Sequence, residues 1–142
     1  MRIPIFHVDA FAQGPHSGNP AAVCLLDSWL DDSWLRKVAA ENNLSATAFL
    51  LSRGKEYEIR WFTAQSELQL CGHATLASGF VVLNFLHPEA EAVEFASRFH
   101  GTLIVEKSKT LHSLSLPAFS PKPLAEIPAE LSLAFSRMKL RS

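Results

Sequence analysis

Residues 68–80 read LQLCGHATLASGF, and the apolar run they open continues to Leu86 before Pro88 stops it. Over residues 74–86 the helical positions are apolar nearly all round, with no polar stripe left for solvent. A helix of that kind belongs inside a fold, wrapped by other elements. The run is too short to span a bilayer and is interrupted by Ser78, Gly79 and Asn84. The stretch therefore predicts a buried central helix, with Cys71, Gly72 and His73 at its start.

Working outward from this helix, strands dominate. Residues 3–11 read as a strand with apolar side chains on both faces, and residues 12–20 (AQGPHSGNP) as a loop. AAVCLL (21–26) is a buried strand, and Asp31 or Asp32 can cap a helix to about Asn42 with Leu35, Val38 and Ala39 on one face. ATAFLLS (46–52) and YEIRWFT (57–63) read as strands in hairpin order around the turn RGKE. Beyond the central helix, AVEFASR (92–98) and GTLIVEKS (101–108) pair around residues 99–101, and residues 111–119 form another strand with Leu114 and Leu116 alternating. Residues 117–128 carry four prolines and read as a linker, and residues 129–142 as a short helix with a basic end. The class is α+β, a mixed or antiparallel sheet around a central apolar helix.

Composition bounds the function. A chain of 142 residues, 48% apolar and 19% charged with a formal net charge of −1, fits one globular domain. No basic patch supports a nucleic-acid surface, and nothing points to a membrane. The two cysteines, Cys24 and Cys71, lie in apolar contexts far apart in sequence, which favours free thiols and a cytoplasmic setting over a disulfide framework. Pro4, His7 and Asp9 break anything like a signal-peptide core.

At the helix start, unpaired backbone N–H groups and the positive dipole end suit a carboxylate or phosphate, and Gly72 lets it approach. His73 could add a donor and Thr75 a hydroxyl; equally, Gly72 could only make a tight turn that His73 caps. Cys71 could be a nucleophile or base activated by the helix end, or a small buried hydrophobe. Cys71 and His73 alone do not make a zinc site. Asn19 in its Ser-Gly-Asn-Pro turn, and Ser45 and Thr47 at a helix-to-strand junction, could face a ligand or serve the local backbone. Glu41 and Glu67 are carboxylates with no spacing that pairs them; the first reads as a helix residue, the second as a loop residue.

Four stretches, in order, resemble the phenazine-biosynthesis (PhzF-like) protein family of the diaminopimelate epimerase-like fold: IFHVDAF with SGNPAAVCLL, then AAENNLSATAFL, then RWFTAQSELQLCGHATLASG. The resemblance implies two lobes, each wrapping sheet round a central helix, with a small carboxylic acid in the cleft between them. It implies a cofactor-independent isomerisation in which a glutamate moves a proton on carbon. Gly72 and His73 match the carboxylate-binding motif, and Asn19 the Gly-Asn-Pro loop. Ser45 and Thr75 flank these, and Cys71 matches the cysteine of related epimerases. The family glutamate lies between serine and threonine, where this chain has Ala46. The expectation is an N-terminal lobe over residues 1–117, a linker and tail over 118–142, and an absent second lobe. The lobe is expected to be an impaired isomerase, or alternatively a non-catalytic acid-binding or interaction protein, or a Cys71-based racemase. Uncovered apolar surface predicts a homodimer.

Overall fold

The computed structural model describes residues 2–109, 111–118, 120, 121 and 123; the helix expected over residues 129–142 lies outside them. One curled sheet runs in the order β1 (Ile5–Ala10), β2 (Asn19–Leu26), β3 (Thr47–Arg53), β4 (Glu56–Phe62), β6 (Ala92–Ser97), β7 (Gly101–Ser108) and β8 (Leu111–Ser115), with β5 (Glu67–Leu68) paired to β4. The β2–β3 and β4–β6 pairs are parallel and the rest antiparallel. The parallel pairs follow from two helical crossovers: α1 (Asp32–Asn42) joins β2 to β3, and α2 (Gly72–Val81) lies between β5 and β6.

The two helices take opposite faces of the sheet. On one face α2 packs with Val23, Ala48, Leu50, Ile59, Trp61, Phe95 and Val105. On the other, Leu35 and Ala39 of α1 meet Cys24, Leu26, Phe49, Leu51 and Phe62. This two-sided burial explains why residues 21–26 and 46–52 show continuous apolar runs where a half-exposed strand would alternate. The cysteines fall in different clusters and are free.

Helix α2 is nearly as buried as its composition demands, and Gly79 shows how tightly. A Cβ at Gly79 would overlap Cβ and both γ carbons of Val105, so only glycine lets α2 lie this close to β7. Three expectations are corrected. The α-helix stops at Val81 and continues as a π-type turn over Val82–Leu86, closed by His87 N–H donating to Val82 O at 2.7 Å. Lys107 of β7 draws the chain into that shape, its Nζ donating to the carbonyls of Leu83 at 2.9 Å and Pro88 at 3.3 Å. The last strand ends at Ser115, short of Leu116, and Glu67 sits in a strand and not a loop.

Among the described residues the wrapping is incomplete: β1 and β8 end the sheet order, and Phe80 and Phe85 of the helical segment stay partly exposed. A groove of about 480 Å³ runs along this seam, lined by β1, by Leu76, Ala77 and Phe80, and by Leu111 and His112. Among the described residues no helix is long and apolar enough to cross a membrane.

Candidate functional site

The loop of residues 12–18 is built to bring Asn19 to one point. Ser17 Oγ accepts from the amides of Gln13 and Gly14 at 3.0 Å and donates to Gly14 O at 2.7 Å. Gly18 has φ +94°, and a Cβ there would stand 2.7 Å from Ala10 O, so the turn into β2 requires glycine. Asn43, in the left-handed conformation, ends α1, and the chain re-enters the sheet with Ser45 beside Asn19.

Ser45 Oγ is the hub. It lies 3.1 Å from Asn19 Oδ1, 3.3 Å from Pro20 O and 3.1 Å from His73 Nε2. His73 Nδ1 in turn lies 3.4 Å from Cys71 Sγ. Partial burial lowers the pKa of the His73 imidazole and so favours the neutral ring, partly opposed by a hydrogen bond to the Pro20 carbonyl. Burial raises the Cys71 thiol above its usual range, partly offset by the Ala74 amide. One consistent proton assignment runs from the Cys71 S–H to Nδ1, from Nε2–H to Ser45 Oγ, and from the Ser45 O–H to Asn19. Four residues from three parts of the chain thus form one polar string across the start of α2.

The other expected residues divide. Gly72 opens α2, and among the described residues a Cβ there would meet only Leu116 Cδ1 at 3.5 Å, an ordinary contact that does not demand glycine. His73 does not cap the helix; its ring is used by Ser45 and Cys71. Thr75 is fully buried, and its hydroxyl donates to Cys71 O at 2.7 Å, so it does not face the string. Thr47 is likewise buried and accepts from Asn42 Nδ2. Ala46 is fully buried in the cluster that also holds Cys71 and Ala74.

Two features were not foreseen. Arg60 makes a two-pronged ion pair with Glu67 at 2.7 and 2.8 Å and reaches Asp32 at 2.8 Å; Arg98 joins Glu67 at 3.3 Å. This network clamps β4 to β5 and to α1, so Glu67 is committed to structure, while Glu41 is an exposed residue of α1. The second is Trp61, buried with no partner for its indole N–H among the described residues. The alternation of apolar residues places Trp61 in a core but cannot say whether its N–H finds an acceptor. Among the described residues no group of three or more His, Cys, Asp and Glu side chains is arranged to hold a metal.

Residues 8–138 match the family model for phenazine biosynthesis-like proteins. The chain is 49% identical over 125 residues to an uncharacterised isomerase of Pseudomonas aeruginosa, covering 88% of this chain and 48% of that protein. It is 38% identical over 131 residues to a human phenazine biosynthesis-like domain-containing protein, covering 87% of this chain and 45% of the relative. The crystal structure of a PhzF-family phenazine biosynthesis protein from Enterococcus faecalis superposes with a TM-score of 0.80 at 41% identity, over 93% of this chain and 50% of that one. The crystal structure of a putative phenazine biosynthesis PhzC/PhzF protein from Clostridium difficile gives 0.81 at 36% identity, over 94% and 51%. The chain thus spans about half the length of the curated relatives it matches. An α+β half-barrel on a central helix, the ordered motifs and the matched family model agree: this chain belongs to the phenazine biosynthesis-like (PhzF) family.

Proposed function

We propose that this chain is the N-terminal lobe of a PhzF-type isomerase, which shifts a proton on a small carboxylic acid without a cofactor. The observation that carries this reading is the string Asn19–Ser45–His73 lying against the open first turn of α2. The amides of Gly72 and His73 at the first turn of α2 offer N–H donors to a carboxylate. The relatives named as isomerases extend to twice this length, and the opposing wall of the cleft is assigned to their remaining half.

The acid–base position is residue 46, which is alanine. A methyl group carries no proton, and general acid–base catalysis contributes about 10²–10⁴-fold, so the lobe binds its acid and turns it over weakly or not at all. This favours a second reading: a non-catalytic acid-binding protein that retains the carboxylate site, paired with a second copy through its seam. The burial of Cys71 and its raised thiol pKa weigh against the thiol-based racemase. Proton exchange into small unsaturated or hydroxy carboxylic acids in deuterated solvent separates the first reading from the second. The isomerase reading requires exchange once Ala46→Glu is introduced and a second lobe supplied; the binding reading predicts none.

A further inference from the structure

The unpartnered indole of Trp61 bears on position 46. In the antiparallel β3–β4 pair, Thr47 is opposite Phe62 and Ala48 opposite Trp61, so Ala46 lies one step beyond the ladder, diagonal to Trp61. Ala46, Ala48, Leu50, Ile59 and Trp61 all belong to the cluster on the α2 side, which puts Ala46 and Trp61 on one face. Diagonal neighbours on one face of an antiparallel pair are within reach of aromatic and long side chains.

Trp61 is 1% exposed, and its Nε1 is fully buried with no hydrogen-bond partner among the described residues. Buried donors are almost always satisfied, and an indole N–H is placed in a core where it can reach an acceptor. Its cluster holds Tyr57 with a hydroxyl, but on the α2 side and at the neighbouring β3 positions it has Ala46, Ala48, Ala74 and Ala77, side chains without an oxygen. The tryptophan with the unsatisfied N–H and the alanine at the acid–base position therefore occupy diagonal positions on one face of the sheet.

We propose that Trp61 is a positioning residue for a carboxylate at position 46: its indole N–H is the donor that orients such a group, and here that donor is left without its acceptor. This rests on the reading in which residue 46 is the acid–base position. In catalysis the bond would fix the carboxylate's rotamer and stabilise its ionised form, keeping it a base despite burial.

The three tryptophans make the test internally calibrated. Trp29 Nε1 donates to Glu58 Oε2, and Trp34 is 37% exposed. In a proton–nitrogen correlation spectrum, the Trp61 indole of the unmodified chain should resonate upfield of Trp29 and exchange with solvent far more slowly than Trp34. Ala46→Glu should move it downfield towards Trp29, Ala46→Gln should do the same without a buried charge, and Ala46→Leu should not. Adding Trp61→Phe to Ala46→Glu should raise the pKa of the introduced carboxyl. A Trp61 resonance already at the hydrogen-bonded position in the unmodified chain would overturn the proposal. So would folded Ala46→Glu or Ala46→Gln protein with the resonance unmoved; Ala46→Gln decides alone if the charged variant does not fold. An indole shift without gain of proton exchange keeps Trp61 in this role and removes the isomerase reading; gain of exchange without the shift does the reverse.

Discussion

His73 Nε2 and Ser45 Oγ stand 3.1 Å apart, a contact that ties the first turn of α2 to the entry of β3 across 28 residues of sequence. If this string holds a carboxylate, Ser45→Ala should weaken binding of small dicarboxylic acids about 5- to 10-fold, the worth of one hydrogen bond of about 1–1.5 kcal/mol. His73→Ala should weaken it further. Isothermal titration measures both; equal affinities in all three proteins would show that the string is structural only.

Stability should fall as the solution becomes mildly acidic. His73 and His112 both have folded pKa values below the ordinary imidazole value of 6.5, each chiefly through burial, with Lys107 adding repulsion at His112. In the unfolded chain they protonate near 6.5, so from there down to their folded values the unfolded state binds more protons and gains ground. Denaturant midpoints should therefore drop between pH 7 and pH 5, and replacing both with glutamine should flatten that slope. An unchanged slope would assign the acid sensitivity to other groups.

Gly79→Ala should destabilise the fold by about 1–3 kcal/mol, because the added methyl has to displace the β-branched Val105. Thermal unfolding detects this. A midpoint equal to that of the unmodified protein would mean that α2 and β7 slide apart without cost.

Along the seam, Leu111 is 74% exposed, Phe11 69% and Phe85 59%, beside strands β1 and β8 that end the sheet among the described residues. A second copy covering this surface would make the chain a homodimer in solution, and Leu111→Lys with Phe11→Lys should dissociate it. Light scattering reads the mass; a monodisperse monomer before any substitution would contradict the assignment.

What was legible in sequence follows from how local each signal is. The buried α2 could be read because its composition is apolar on every side, and β2 and β3 because two-sided burial makes unbroken apolar runs. The two-residue β5 could not, since Glu67 is polar and its place is set by Arg60. The π-type turn was equally hidden, shaped by Lys107 from a strand 24 residues on. Asn19, Ser45 and His73 entered as separate residues through the family resemblance; only the fold shows that they meet at one hydroxyl. The fate of an indole N–H depends on its neighbours in space, so the isolation of Trp61 has no sequence signature.

On the proposed reading, residue 46 is the acid–base position of an isomerase lobe. That assignment is tested most directly by joining this chain to the second half of the Pseudomonas aeruginosa relative and following deuterium uptake into small carboxylic acids. The fusion with Ala46 retained should exchange at or near background, and the Ala46→Glu fusion about 10²–10⁴-fold faster. Equal exchange in the two folded fusions, whether at background or well above it, would contradict the assignment.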